Sequence, residues 1–144
     1  MKRHFVLFFL IFSSIYVHAQ NSVVGVWKTI DDKTGKVKSH MEIYKKGDKY
    51  YGKVLKVIDS EAPQNPICQN CEGKFKDQPI IGLEIMWGLE KDGDEYENGT
   101  ILDPEKGKTY KCKIWLDEND PNKLNVRGYV LFLYRTQIWE RLNS

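Results

Sequence analysis

From Ser22 onward, apolar and polar residues alternate in short runs rich in β-branched and aromatic side chains, and each run ends at Gly, Asn, Asp or Pro. A period of two sends successive side chains to opposite faces of a strand, so the pattern predicts β-structure throughout. It places about eight strands, at residues 22–30, 37–45, 50–58, 80–90, 96–102, 109–116, 124–130 and 135–142. The connectors 31–35, 46–48, 91–94, 103–107 and 118–122 are short and carry turn residues, which makes successive strands antiparallel neighbours. One connector is long. Residues 59–79 are rich in Pro, Asn, Gly and charge, and loops of that length in compact domains often serve as lids or binding loops. No segment outside the first 19 residues shows a helical period. The predicted fold is all-β: one up-and-down antiparallel barrel of about eight strands with a long Cys-containing loop, a closed form that leaves no strand edge exposed. A β-sandwich is the competing architecture.

Residues 1–19 break this pattern. Lys2 and Arg3 precede the apolar run 5–12, and Val17-His18-Ala19 ends in small residues, as a secretory signal peptide does. The run is shorter than the roughly 20 residues that cross a bilayer. The expectation is an exported chain, periplasmic or extracellular, whose mature part is one domain over residues 20–144. The first Cys is Cys68, so no lipid-accepting Cys follows the cleavage point and no membrane anchor is expected by that route.

The formal charge of +2 belongs to Lys2 and Arg3; without them 20 basic residues face 20 acidic ones. Nucleic-acid binders usually carry a basic excess to neutralise phosphate, so no nucleic-acid partner is expected.

Cys68-Gln69-Asn70-Cys71 admits three chemistries. A redox pair needs its first Cys at a helix N-terminus, and none is predicted after Cys71. Zinc needs four ligands, but only Cys112, His40 and carboxylates remain beside the pair. An oxidising compartment favours a structural disulfide between Cys68 and Cys71. No metal and no cofactor are expected. Cys112, flanked by lysines on an alternating strand, reads as a small buried hydrophobe.

Catalytic constellations are thin. His40 is the one imidazole beyond the signal segment, and no G-x-S-x-G or H-E-x-x-H pattern occurs. No catalytic residue is assigned, and the chain leans away from being an enzyme. Glu42, Lys53, Glu84, Trp87, Arg127 and Arg135 lie on different strands and are the candidates for a ligand site in the barrel lumen, although an outward, solvated position is the default for each charge.

Gly25-Val26-Trp27 on the first strand, with Arg135 and Arg141 on the last, resembles the calycin superfamily of lipocalins and their relatives. In those barrels a Trp from strand one closes the bottom and an Arg from the far end of the chain packs across its ring. That resemblance makes Trp27, Arg135 and Arg141 candidates for barrel closure.

A longer set of motifs, Val26-Trp27-Lys28-Thr29-Ile30-Asp31-Asp32, Pro66-Ile67-Cys68-Gln69-Asn70-Cys71, Pro79-Ile80-Ile81-Gly82-Leu83-Glu84 and Ile101 to Tyr110, resembles the bacterial family "domain of unknown function 2147". The likeness runs on through Val126-Arg127-Gly128-Tyr129 and Arg135-Thr136-Gln137-Ile138-Trp139. It implies a small exported protein and no particular reaction. Two functions follow as expectations: a noncatalytic binding protein for a small, partly apolar ligand in the barrel lumen with the long loop over its mouth, or a solid barrel that binds another envelope protein or glycan through its surface.

Overall fold

The computed structural model describes residues 22–143; the signal segment expected at 1–19 lies outside them. Eight strands follow in chain order: β1 Gly25–Ile30, β2 Val37–Lys46, β3 Lys49–Val57, β4 Glu84–Asp92, β5 Glu95–Asp103, β6 Lys108–Leu116, β7 Lys123–Val130 and β8 Leu133–Arg141. Each pairs antiparallel with the next, and β1 pairs β8 through Trp27↔Arg141 and Lys28↔Glu140, closing the barrel. A meander with short turns needs no crossover, which is why the order in space equals the order in sequence.

Alternation decides what fills the barrel. Trp27, Met41, Ile43, Leu89, Ile114 and Leu124 are fully buried, and their registers with one another put them on the inner face. The interior is packed with side chains, as small barrels commonly are. Among the described residues no charged or polar side chain is buried.

Turns are built by aspartates. Asp31 Oδ1 accepts the backbone N–H of Lys33 and Thr34 at 2.9 and 2.8 Å, and Asp103 Oδ1 does the same for Glu105 and Lys106 at 3.0 and 3.2 Å. These short side-chain bonds mimic a backbone turn. They hold the hairpin ends.

The end of the barrel nearest Val23 is sealed. Trp27 donates from Nε1 to the Val23 carbonyl at 2.9 Å, and the Arg141 guanidinium lies 4.2 Å from the indole centroid. Arg141 also donates to the carbonyls of Ser22, Val24 and Pro121 at 2.8, 3.3 and 3.1 Å. A Cβ on Gly25 would stand 2.9 Å from Arg141 Nη1, and φ there is +143°, so this approach requires glycine.

Two expectations change. The strand expected at 80–90 starts at Glu84, because Gly82 takes φ +87° and donates to the Val54 carbonyl at 2.7 Å, turning the chain first. The long loop contains one 3-10 turn, Gly73–Phe75, where no helix was expected. The long loop folds along the outer wall of β4 and β5, pinned by Asn70 Nδ2 donating to the Glu105 carbonyl at 2.7 Å and by Phe75 stacked on Trp87 at 5.5 Å, while the Ile67↔Pro79 bridge ties its own two arms together. Leu102 is outward by alternation yet only 2 % exposed, because the wall it sits on is covered. The Cys68–Cys71 disulfide lies in this loop with both residues buried, and Cys68 Sγ is 3.7 Å from the Pro104 carbonyl.

Candidate functional site

Five of the six candidate residues fall on the outside of the barrel. Glu42 is flanked by the inward Met41 and Ile43, so its carboxylate points outward, where it pairs with Lys53 across the β2–β3 ladder at 3.7 Å. Burying that pair in the apolar interior would cost several kcal/mol per ion, which the outer face avoids. Glu84 opens β4 on the same outer surface. Its carboxylate accepts the Tyr44 hydroxyl and lies 3.7 Å from Lys46 Nζ. Trp87 pairs with Thr100 on that face too. Thus Glu42, Lys53, Glu84 and Trp87 share one external region, and the lumen reading is corrected for all four.

Arg127 stands elsewhere. It lies outside β7 between the rings of Trp115 and Tyr134, at 4.9 and 4.1 Å from their centroids, with Nε donating to Thr136 Oγ1 at 2.8 Å. Arg135 is at the end of the barrel opposite Trp27, exposed and ion-paired with Asp32 of the β1–β2 turn. By register it stands on the inner face, opposite Gly128, at the rim of that end, and it does not cover Trp27; of the two arginines considered for closure, Arg141 alone lies on the ring. His40, one residue before Met41, also faces outward.

Between the loop and the outer wall runs a groove of about 350 Å³, lined by Tyr51, Lys74, Phe75, Gln78, Leu83, Glu84 and Trp87. Its back is aromatic. Phe75 and Trp87 stack at an interplanar angle of 24°, and Tyr44 and Tyr51 stack beside them with centroids 5.9 Å apart. Cations edge these rings: Lys74 Nζ is 5.0 Å from Phe75, Lys46 Nζ 4.3 Å from Tyr51 and Lys53 Nζ 5.3 Å from Tyr44. Desolvation, then the Glu84 carboxylate, pushes the Tyr44 hydroxyl well above its ordinary pKa. Tyr44 therefore remains a donor and fixes Glu84 in place.

Three groove residues, Lys74, Phe75 and Gln78, escape a reading by strands because they lie on the loop, and Leu83, expected within a strand, precedes β4. Phe75 did leave a signal: it is the one large apolar residue between Cys71 and Pro79. Tyr51 sits two residues from Lys53 and shares its face, which period two alone would have shown.

Among the described residues no group of three or more His, Cys, Asp or Glu side chains is placed to hold a metal ion. Cys112 is free and 2 % exposed, and burial pushes its thiol up to about 12. Its raised value means that the folded state favours the neutral thiol; that contribution is complete below the unfolded value of about 8.5 and fades as pH rises toward the folded one. Native protein at about pH 8 should therefore resist iodoacetamide at Cys112 and become labelled only in denaturant, as intact mass would record. Stoichiometric labelling of the folded protein would contradict the burial argument.

A closed eight-stranded meander, plugged at one end by a Trp under an Arg, defines a lipocalin-like barrel. The solved structure described as "Protein HP1028 from the human pathogen Helicobacter pylori belongs to the lipocalin family" is similar to it, with TM-score 0.72, 19 % identity, and coverage of 85 % of this chain and 84 % of that one. The chain belongs to the family described as "Uncharacterized protein conserved in bacteria (DUF2147)", whose model matches residues 25–141. No curated protein matches the sequence.

Proposed function

We propose that this protein is an exported, noncatalytic binding protein for a small, partly apolar ligand, and that the ligand lies in the groove between the long loop and the outer wall of β3 and β4. The observation that carries this reading is the groove itself: a concavity of about 350 Å³ with stacked aromatics behind and Lys74, Gln78 and Glu84 at its rim. Its volume is at the lower end of that of small-molecule sites, which combine apolar walls with a few orienting polar groups. The lipocalin likeness of the fold agrees with small-ligand binding. The filled interior argues for the outer wall over the lumen.

A ligand suited to this groove has a flat apolar part to lie against Trp87 and Phe75, and a polar group within reach of Lys74 or Glu84. Removing one aromatic face costs about 1 kcal/mol beyond lost area, so Trp87→Ala should weaken binding about tenfold. Native mass spectrometry of protein purified from its own host tests this directly. A small-molecule adduct present on the parent and lost from Trp87→Ala supports the groove; an adduct retained by Trp87→Ala and Phe75→Ala alike would overturn it. The buried Cys68–Cys71 bridge agrees with an oxidising destination. Among the described residues no helix is long and apolar enough to cross a membrane.

A further inference from the structure

The β7–β8 hairpin departs from every other turn of the barrel. The other five short connections turn on polar residues, Gly and Pro, whereas this one reads Val130-Leu131-Phe132-Leu133-Tyr134. Leu131 is 90 % exposed and Phe132 87 %, with Leu133 and Tyr134 also largely in solvent. Leu131 further takes φ +55°, a left-handed conformation that two-residue hairpins normally give to Asn or Gly. Neither burial nor turn geometry accounts for Leu-Phe here. Both oppose it.

The surroundings are cationic and aromatic. Lys108 and Lys111 line a cleft beside Val130 and Leu131, with Glu72 as the one acid on that cleft. Tyr129 and Tyr134 face each other at the base of the tip, with ring centroids 6.2 Å apart. Arg135 follows directly, its charge shared with Asp32. Leu131 and Phe132 project from the end of the barrel and are the most exposed large apolar side chains among the described residues.

We propose that the β7–β8 tip is a membrane-docking wedge: Leu131 and Phe132 enter the interfacial layer of a bilayer, Tyr129 and Tyr134 sit at headgroup level, and Lys108 and Lys111 meet anionic headgroups. Projecting apolar residues ringed by Tyr and Lys match the layering of a bilayer surface, apolar within and anionic above. The charge complementarity selects a lipid surface over a purely apolar protein pocket. Docking through the tip leaves the outer-wall groove, which is built by β3, β4 and the loop, open to solvent.

Sedimentation with vesicles tests this. The purified protein should bind vesicles of phosphatidylcholine mixed with phosphatidylglycerol about tenfold more tightly than phosphatidylcholine alone, since each basic residue near a charged surface contributes on the order of tenfold or less. Leu131→Asn with Phe132→Gly installs a preferred turn pair, so this variant should keep or raise the melting temperature while losing most vesicle binding. Lys108→Gln with Lys111→Gln should keep weak binding and lose the preference for anionic vesicles. Absence of parent binding to both vesicle types, or equal binding by the Asn-Gly variant, would overturn the proposal. So would tip-dependent self-association in sedimentation velocity without vesicle binding, which would assign the tip to a second copy of the chain.

Discussion

Replacing Gly107 with alanine should lift the long loop off the barrel and destabilise the protein by about 3 kcal/mol. A Cβ there would stand 1.8 Å from the Asn70 carbonyl oxygen and 2.3 Å from its carbon, both backbone atoms that cannot swing aside. The residue also takes φ +68°, which alanine adopts at a cost. The Asp103–Gly107 turn and the loop must separate, and the Asn70 bond to Glu105 goes with them. In urea the midpoint should fall, and Trp87 fluorescence should shift to the red as Phe75 leaves its ring. An unchanged midpoint and spectrum would show that the loop is not held by this contact. The same variant should lose groove binding, because the loop supplies Lys74, Phe75 and Gln78.

Arg141→Ala should cost a similar amount, about 3 kcal/mol, or roughly 10 °C in melting temperature for a domain of this size. One side chain holds three carbonyls from two separate segments and covers the indole of Trp27. A partly desolvated cation–π contact contributes about 1 kcal/mol, and the charge-assisted bonds add to it. Arg141→Lys keeps the charge but has no planar fork to span the three acceptors, so it should recover less than half the loss. Full recovery by lysine would mean that charge alone closes the barrel. Thermal unfolding of the three proteins side by side decides it.

The barrel was legible because period two runs through every strand and turn residues fall between them. The faces were legible in part: Glu42 between Met41 and Ile43 could only point away from an apolar core. Trp87 was not legible, since Met86 and Leu89 are both inward and the positive-φ Gly88, between Trp87 and Leu89, shifts the alternation. A strand pattern does not reveal such a shift. Nor does it reveal a second covered wall. Leu102 looks like an outward residue on an open face until the loop is laid over it, and that placement depends on contacts such as Gly107 with Asn70, 37 positions apart in number. Charged strand residues invited a lumen site by their spread over several strands, yet the core has no room or solvation for them.

The seam between β1 and β8 sets when the fold can exist at all. Trp27 meets Arg141 across nearly the whole described chain, so the last strand must be present before the first can finish pairing. Proteins dominated by such distant pairings fold in milliseconds to seconds, far more slowly than helical bundles. A nascent chain emerging from its N-terminus holds seven strands in want of an eighth, with β1 unpaired on one side and Trp27 uncovered. It stays unfinished until Arg141 arrives, so the barrel closes only once the whole of β8 has been made.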